Sequence, residues 1–315
     1  MNYIKMSPLA GLSGFGGGAT AQTFVGLASN KEYFGDRGLY GGGSSDSSNQ
    51  EEIMYINITS AGNASDFGDL SNGNRDDLGA CSNATLGFFI AGNTSNIIEY
   101  VTISTTGNVT DWGDLLGGRS TGGSCSNGTI GLFAGGNVAA QIDYFDMQSA
   151  GNGADFGDLT DGRSRLAGVS SEERGIFGGG KKSGNDNMNV IDYITISSTG
   201  NATDFGDLHE GRRALSGSSN KTRAIFNGGH GNDKMDYITM ANTGNAADFG
   251  NLNVARGYHA SCANATRQTI GGGNYPGNYI EEIDFVTFDT LGDASDFGDL
   301  LNDYAYNCST SGNAS

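Results

Sequence analysis

The sequence predicts an all-β chain closed into a ring of six four-stranded units, and three observations predict it. A phrase such as GNATDFGDL at residues 200–208 recurs, with close copies ending at Leu70, Leu115, Leu159, Leu252 and Leu300. Counted from the first Asp of each phrase (Asp66, Asp111, Asp155, Asp204, Asp248 and Asp296), the steps are 45, 44, 49, 44 and 48 residues. A period of this length marks an array of like structural units. The 315 residues also include 54 Gly against two Pro, and short β-branched or aromatic runs alternate with Gly, Asn, Asp and Ser turns. That is the pattern of strands and turns, and no window sustains a helical period. Gly-rich polar composition can also mean disorder, but 36% hydrophobic residues at regular intervals give every unit a core.

Each unit has its landmarks in a fixed order. An Arg follows the Asp by eight or nine residues (Arg75, Arg119, Arg163, Arg212, Arg256), with Tyr304 in that place in the last copy. Fourteen residues after the Arg stands an apolar residue before a glycine pair: Phe89, Phe133, Phe177, Phe226, Ile270. Next comes an aromatic within a strand-like run: Tyr55, Tyr100, Tyr144, Tyr193, Tyr237, Phe285. From that aromatic to the next anchoring Asp the distance is 11 in all six units. The phrase then supplies a second aromatic, Phe67, Trp112, Phe156, Phe205, Phe249 or Phe297, expected to fill the space between units. Length varies mainly between the Gly-Gly and the aromatic, where a surface loop closes cheaply at several lengths.

In the unit from Arg212 the four strand candidates are ALSGSS, RAIFNG, MDYITM and a short strand around DFGNL. Four strands in about 45 residues, repeated six times, predict a six-bladed β-propeller. IDYITI at residues 191–196 is apolar on both faces, which suits a blade packed between two neighbours. Small residues in the first strand suit the crowded axis. Residues 303–311, DYAYNCSTS, match a first strand with no second strand to follow. The expected closure pairs this C-terminal strand with the N-terminal second, third and fourth strands, removing the open edges. A rival closure uses FVGLASN (24–30) as the first strand. The propeller is then residues 29–315, and residues 1–28 are an arm or attachment segment.

The order Arg, apolar-Gly-Gly, [IM]-D-Y and a closing aromatic resembles kelch repeats, whose last aromatic is usually Trp. Here it is Phe, except Trp112 in DWGDL. More closely, SSNKTRAIFNGG…DYITMANTGNAADFG is similar to the repeats of predicted virion structural proteins of tailed phages infecting marine cyanobacteria and other marine bacteria. GLSGFGGGATA followed by EYFGDRGLYGGG is similar to that group as well. The resemblance covers roughly residues 30–309. It implies a kelch-like propeller on the surface or an appendage of a virion, serving as fibre, tail or capsid decoration. The implied roles are assembly and host-surface adhesion. The implied partners are other virion proteins, further copies of this chain, and a host-surface glycan or receptor. It implies no enzymatic activity and no cofactor.

A net charge of −18 argues against nucleic-acid binding, which needs a basic face. It favours solubility and disfavours anionic surfaces. The N-terminal residues lack the apolar core of a signal peptide, and no stretch is long enough to span a bilayer, so a soluble chain is expected.

Paired Asp residues three apart in DFGDL could ligate Ca²⁺. Six equivalent copies around a ring instead favour construction, so no metal is assigned. On that reading GNATD is a turn whose Asn and Asp bond nearby backbone N–H groups, Gly takes φ > 0, and the second Asp meets the Arg that follows. The kinase-like DFG lacks its companion motifs, and GFGGGA at 14–19 lies in no βαβ context. Cys81, Cys125 and Cys262 each lie six residues after the repeat Arg, with Cys308 near that place in the last strand. Equivalent positions in separate blades seldom meet, so buried free thiols are expected. His209, His230 and His259 fall at unrelated repeat positions, and no catalytic set is indicated. The eleven N-x-[ST] sequons fall mostly within the repeated turn phrases, and turn chemistry explains them.

The longer variable loops are residues 44–52, 180–189 and 274–282, all expected on one face. Divergent loops on a rigid scaffold suit binding. The candidate binding residues are Lys181, Lys182, Asn185, Asp186, Tyr275 and Tyr279, the tyrosines being of the kind that stack on sugars or anchor interfaces. A second reading stays open, a secreted carbohydrate-binding protein or carbohydrate-active enzyme on the same scaffold. A pocket with two raised-pKa carboxylates would favour the enzyme. A third reading is polymerisation through unmatched terminal strands.

Overall fold

Strands of four to eight residues separated by short turns pair most readily with their neighbours along the chain, and each repeat does so except where the last strand closes the ring. A computed structural model describes residues 34–313 except 46–49, 72–74, 185 and 276. Among the described residues there are six four-stranded antiparallel sheets and one small two-stranded hairpin, with no helix. Blades 2 to 6 each run from the innermost strand outward. Their innermost strands are Gly79–Ser82, Gly123–Ser126, Ala167–Ser170, Ser216–Ser219 and Ala260–Ala263. Their outermost strands are Thr110–Asp114, Ala154–Asp158, Thr203–Asp207, Ala247–Asn251 and Ser295–Asp299. Innermost strands touch their neighbours around the ring and line a central channel.

Blade 1 takes its innermost strand from the C-terminus. Cys308–Gly312 pairs antiparallel with Arg37–Gly41, from Arg37 opposite Gly312 to Gly41 opposite Cys308. The inner place is thus filled by the terminal strand. The rival strand at 24–30 and the arm at 1–28 lie outside the described residues. No helix among the described residues is long and apolar enough to cross a membrane.

The constant spacing from the third-strand aromatic has a cause. It sets that ring edge-to-face against the aromatic of the outermost strand in every blade: Tyr55–Phe67, Tyr100–Trp112, Tyr144–Phe156, Tyr193–Phe205, Tyr237–Phe249 and Phe285–Phe297, with centroids 5.0–6.1 Å apart. The outer member is buried between blades. Phe205, for example, packs with Ile191 and Leu208 of its own blade and with Phe226, Ile238 and Met240 of the next.

GNATDFGDL corrects one expectation. Its Asn bonds across to the preceding blade, and the turn is not closed on itself. Asn201 Oδ1 accepts from the Asp158 amide at 3.0 Å, while the Gly200 and Ala202 amides donate to the Phe156 and Asp158 carbonyls at 2.8 and 2.7 Å. The same three bonds recur at all six junctions, with Asp293 replacing Asn at one. Each phrase therefore grips the phrase before it. The fit is close: a Cβ at Gly206 would lie 2.4 Å from the Gly244 carbonyl oxygen, and Gly206 has φ of +148°.

A second correction concerns the repeat Arg. It does not meet the second Asp of DFGDL. It pairs with the acid before the third-strand aromatic: Arg75–Glu99, Arg119–Asp143, Arg163–Asp192, Arg212–Asp236 and Arg256–Asp284. The last four span 2.5–3.0 Å, and all ten side chains are buried or nearly so. In the last unit the phenol of Tyr304 donates to Glu52. At Asp143 burial raises the carboxyl pKa, and the Arg119 charge acts against that rise.

Near the axis, serine hydroxyls stitch neighbouring blades. Ser82, Ser126, Ser170, Ser219 and Ser311 each donate to the corresponding carbonyl of the blade before, at 2.5–2.7 Å. The sixth place holds Ala263. The four cysteines are free and buried, and burial raises their pKa, that of Cys125 to about 12. Cys308 departs from the expected position: in its strand the place six residues after Tyr304 is held by Thr310, and Cys308 aligns with Ala260.

Candidate functional site

Two residues after each repeat Arg, or after Tyr304, the chain turns into the innermost strand. That position holds Asp77, Thr121, Arg165, Ala214, Tyr258 and Tyr306, and all six are left-handed, with φ between +56° and +63°. The turn aims each amide at the carbonyl of the same position one blade back. Asp77 donates to Tyr306, Thr121 to Asp77, Arg165 to Thr121, Ala214 to Arg165, Tyr258 to Ala214 and Tyr306 to Tyr258, at 2.6–2.9 Å. A closed hoop of six backbone hydrogen bonds thus rims one end of the channel. With the hoop's amides and carbonyls engaged with one another, its six side chains carry the local chemistry.

Those side chains line a pocket of about 130 Å³ whose floor is innermost-strand backbone and small residues. They differ in charge and shape around the hoop. The Tyr258 and Tyr306 rings lie with centroids 4.3 Å apart. Ala214 contributes only a methyl group, and Arg165 reaches across that gap. Its guanidinium lies 4.9 Å over the Tyr258 ring and donates to the Tyr258 phenol. His230 stands edge-on to Tyr258 at 5.9 Å, and its amide donates to the Arg213 carbonyl at 2.9 Å. Lys181 is held by a backbone bridge to Ser164, next to Arg165. Burial and then the Arg165 and Arg213 charges lower the Lys181 pKa; burial followed by the same two charges lowers that of His230. On another part of the hoop, burial and then Asp76 raise the Asp77 carboxyl to about 6, against a smaller pull from Arg165. Burial raises Asp76 as well.

The candidates read from the variable loops fall on this same face but not in one cluster. Backbone bridges tie these loops to the hoop turns: Ser44 to Ala305, Lys181 to Ser164 and Asn274 to Gly257. Lys181 is bridged through its backbone to Ser164, the residue before Arg165 of the hoop. Lys182 instead makes an exposed ion pair with Asp161 at 2.8 Å, and the Asp186 carbonyl accepts the Lys182 amide. Asn185 lies outside the described residues. Tyr275 and Tyr279 sit on the small hairpin Asn274–Tyr275 and Asn278–Tyr279. Tyr275 is exposed, and the Tyr279 hydroxyl lies 3.2 Å from Ser44 Oγ.

Sequence reasoning missed the hoop, and with it Asp77, Thr121, Arg165, Tyr258 and Tyr306. The available signal was a fixed offset of two from the repeat Arg at which residue type changes in almost every unit. Among the described residues no group of three or more His, Cys, Asp or Glu side chains is placed to hold a metal ion. The chain matches no protein-family model and no curated protein. The kelch-like and phage resemblances therefore rest on the repeat residues alone.

Proposed function

We propose that the protein is a non-enzymatic recognition module, displayed on a virion as a fibre, tail or capsid appendage, that contacts a host-surface glycan or receptor through the hoop end of its channel. One observation carries the recognition part. The clasps and nearly all the Arg–acid pairs and serine stitches repeat from blade to blade, whereas Asp, Thr, Arg, Ala, Tyr and Tyr stand on one shared backbone conformation around a pocket. Constant scaffold with divergent side chains at one end is the economy of a binding surface. The virion setting, and assembly with other virion proteins or further copies, comes from the repeat's resemblance.

The test is binding of labelled protein to marine cyanobacterial host cells, with Arg165→Gln and Tyr306→Ala beside the wild type. Loss of binding in folded variants supports recognition through the hoop, and unchanged binding defeats it. Absence of the chain from purified particles by mass spectrometry defeats the virion setting.

A second reading, glycan cleavage, is favoured by one observation: Asp77 of the pocket wall and its chain neighbour Asp76 both have raised pKa. Glycoside hydrolysis needs two carboxyls flanking the scissile bond. Asp76 and Asp77 are consecutive in the chain and only Asp77 lines the pocket, which is why recognition is preferred. Release of reducing ends from a polysaccharide, abolished in Asp77→Asn, would reverse that preference.

A further inference from the structure

We infer that the hoop pocket binds an acidic saccharide, with the sugar's carboxylate held on its Arg165 side, next to the rim that carries Lys181, Arg213 and His230. The inference rests on the recognition reading above and gives its ligand a chemistry.

Cations are scarce in this chain and unevenly placed. The chain has 17 Lys and Arg against 35 Asp and Glu. Five arginines are consumed in the buried pairs within blades. Four more, Arg37, Arg174, Arg223 and Arg267, lie over the third-strand aromatic and donate to a carbonyl of the next blade. Those nine are structural. Outside those nine, Arg165 lines the pocket, and Lys181, Arg213 and His230 stand on the adjoining rim: Lys181 bridges Ser164 and Asn187, the Arg213 guanidinium donates to Asn187 Oδ1 at 3.2 Å, and the His230 ring is edge-on to Tyr258. Gathering like charges is unfavourable: burial first, and then the Arg165 and Arg213 charges, lower the pKa values of Lys181 and His230. An anion seated there relieves it. In a chain of net charge −18 the sector is also a local reversal of sign, so it selects among anions by position.

The rest of the hoop decides what kind of anion. Tyr258 and Tyr306 offer ring surface and two phenols, which suit the C–H faces and hydroxyls of a sugar. Thr121 and Asp77 add a hydroxyl and a carboxyl on the same hoop, able to bond further sugar hydroxyls. Asp77 on the pocket wall disfavours a compact, multiply charged group such as phosphate, which would bring more negative charge beside its carboxyl. A singly charged carboxylate on a polyhydroxylated ring meets both halves of the pocket. Its planar oxygens match the guanidinium of Arg165, which is already oriented by Tyr258. The hairpin bearing Tyr275 is bridged to the hoop turn at Gly257, so the saccharide chain beyond the bound ring has a neighbouring surface to follow.

Calorimetric titration of the full chain with tetragalacturonate, and with the same tetrasaccharide reduced to its neutral alcohols, tests this. The acidic probe is expected to bind at least tenfold more tightly than the neutral one and to weaken with added salt. Arg165→Gln, and separately Lys181→Gln with Arg213→Gln, should erase that preference while leaving unfolding midpoints near wild type. The double variant leaves the tyrosine pair and its Arg165 contact in place, so it isolates charge from packing. Equal affinity for both probes, or a preference that survives both variants, overturns the inference. If neither probe binds but host cells are still bound through the hoop, the inference falls and the recognition reading stands. If cell binding ignores the hoop variants as well, both fall.

Discussion

Asn63 and Asp299 stand 236 residues apart in sequence, yet the Asn63 side-chain oxygen accepts the Asp299 backbone amide at 3.2 Å. This bond is the sixth copy of the inter-blade clasp, and the one that joins the first outer strand to the last. Asn63→Ala should lower stability by about 1 kcal/mol, the usual net worth of one hydrogen bond. Gly298→Ala should cost more, because its Cβ would lie 2.6 Å from the Gly62 carbonyl and its φ is +143°. Chemical denaturation of both variants measures the difference. A silent Gly298→Ala would mean that the two phrases do not fit as closely as described.

The serine stitches predict a gain. Five hydroxyls around the channel donate to the preceding blade, and the sixth place is Ala263, facing the Ser219 carbonyl by equivalence with its neighbours. Ala263→Ser should complete the circuit and raise stability by about 1 kcal/mol. Ser126→Ala should lower it by a similar amount. The two thermal midpoints, measured against wild type, should move in opposite directions.

Much of this architecture was legible, and particular residues show where legibility stopped. The period, the four strands and the closure by residues 303–311 follow from spacing and alternation alone. The aromatic wedge followed as well, because a ring pair inside one blade fixes its own spacing. The acid that meets Arg163 was hidden for the opposite reason. Asp192 lies beyond a loop of changing length, whereas the second Asp of DFGDL stands near the Arg in sequence and looked like its partner. The partner of Asn201 was hidden because a clasp between blades leaves the same constant spacing as a turn closed on itself. The hoop was least legible of all: its structure is backbone, so its residues are free to differ, and reading for constancy passes over them.

Arg163 and Asp192 are both fully buried, 3.0 Å apart, and Asp192 also accepts from the Thr160 hydroxyl and amide. Removing one partner strands a charge. Arg163→Met and Asp192→Leu, made singly, should each cost about 3 to 5 kcal/mol. Made together they should cost less than the sum, because the double variant leaves no uncompensated charge. A double-mutant cycle in urea gives the coupling, and simple additivity would show that the pair does not act as a unit.

His259 occupies the place held by Leu78, Leu166 and Leu215 in three other units, and like them it is buried beneath a Gly-Gly turn. Neither imidazole nitrogen makes a hydrogen bond; the nearby Asn227 backbone favours the charged form only weakly. Burial first, and Arg256 second, lower its pKa to about 3. An unfolded histidine titrates near 6.5. Above that pH the ring is neutral in both states and no stability is lost. Below it the unfolded chain takes a proton that the native chain refuses, so stability falls as pH drops from 6.5 toward 3, by at most about 1.4 kcal/mol per unit for one proton. His259→Leu should remove that slope and raise stability at neutral pH, since Leu fills the equivalent site in other blades. Urea midpoints of wild type and variant at pH 7.5 and pH 5 check both parts. A gap between them that fails to widen at pH 5 would show that His259 takes up its proton in the folded state.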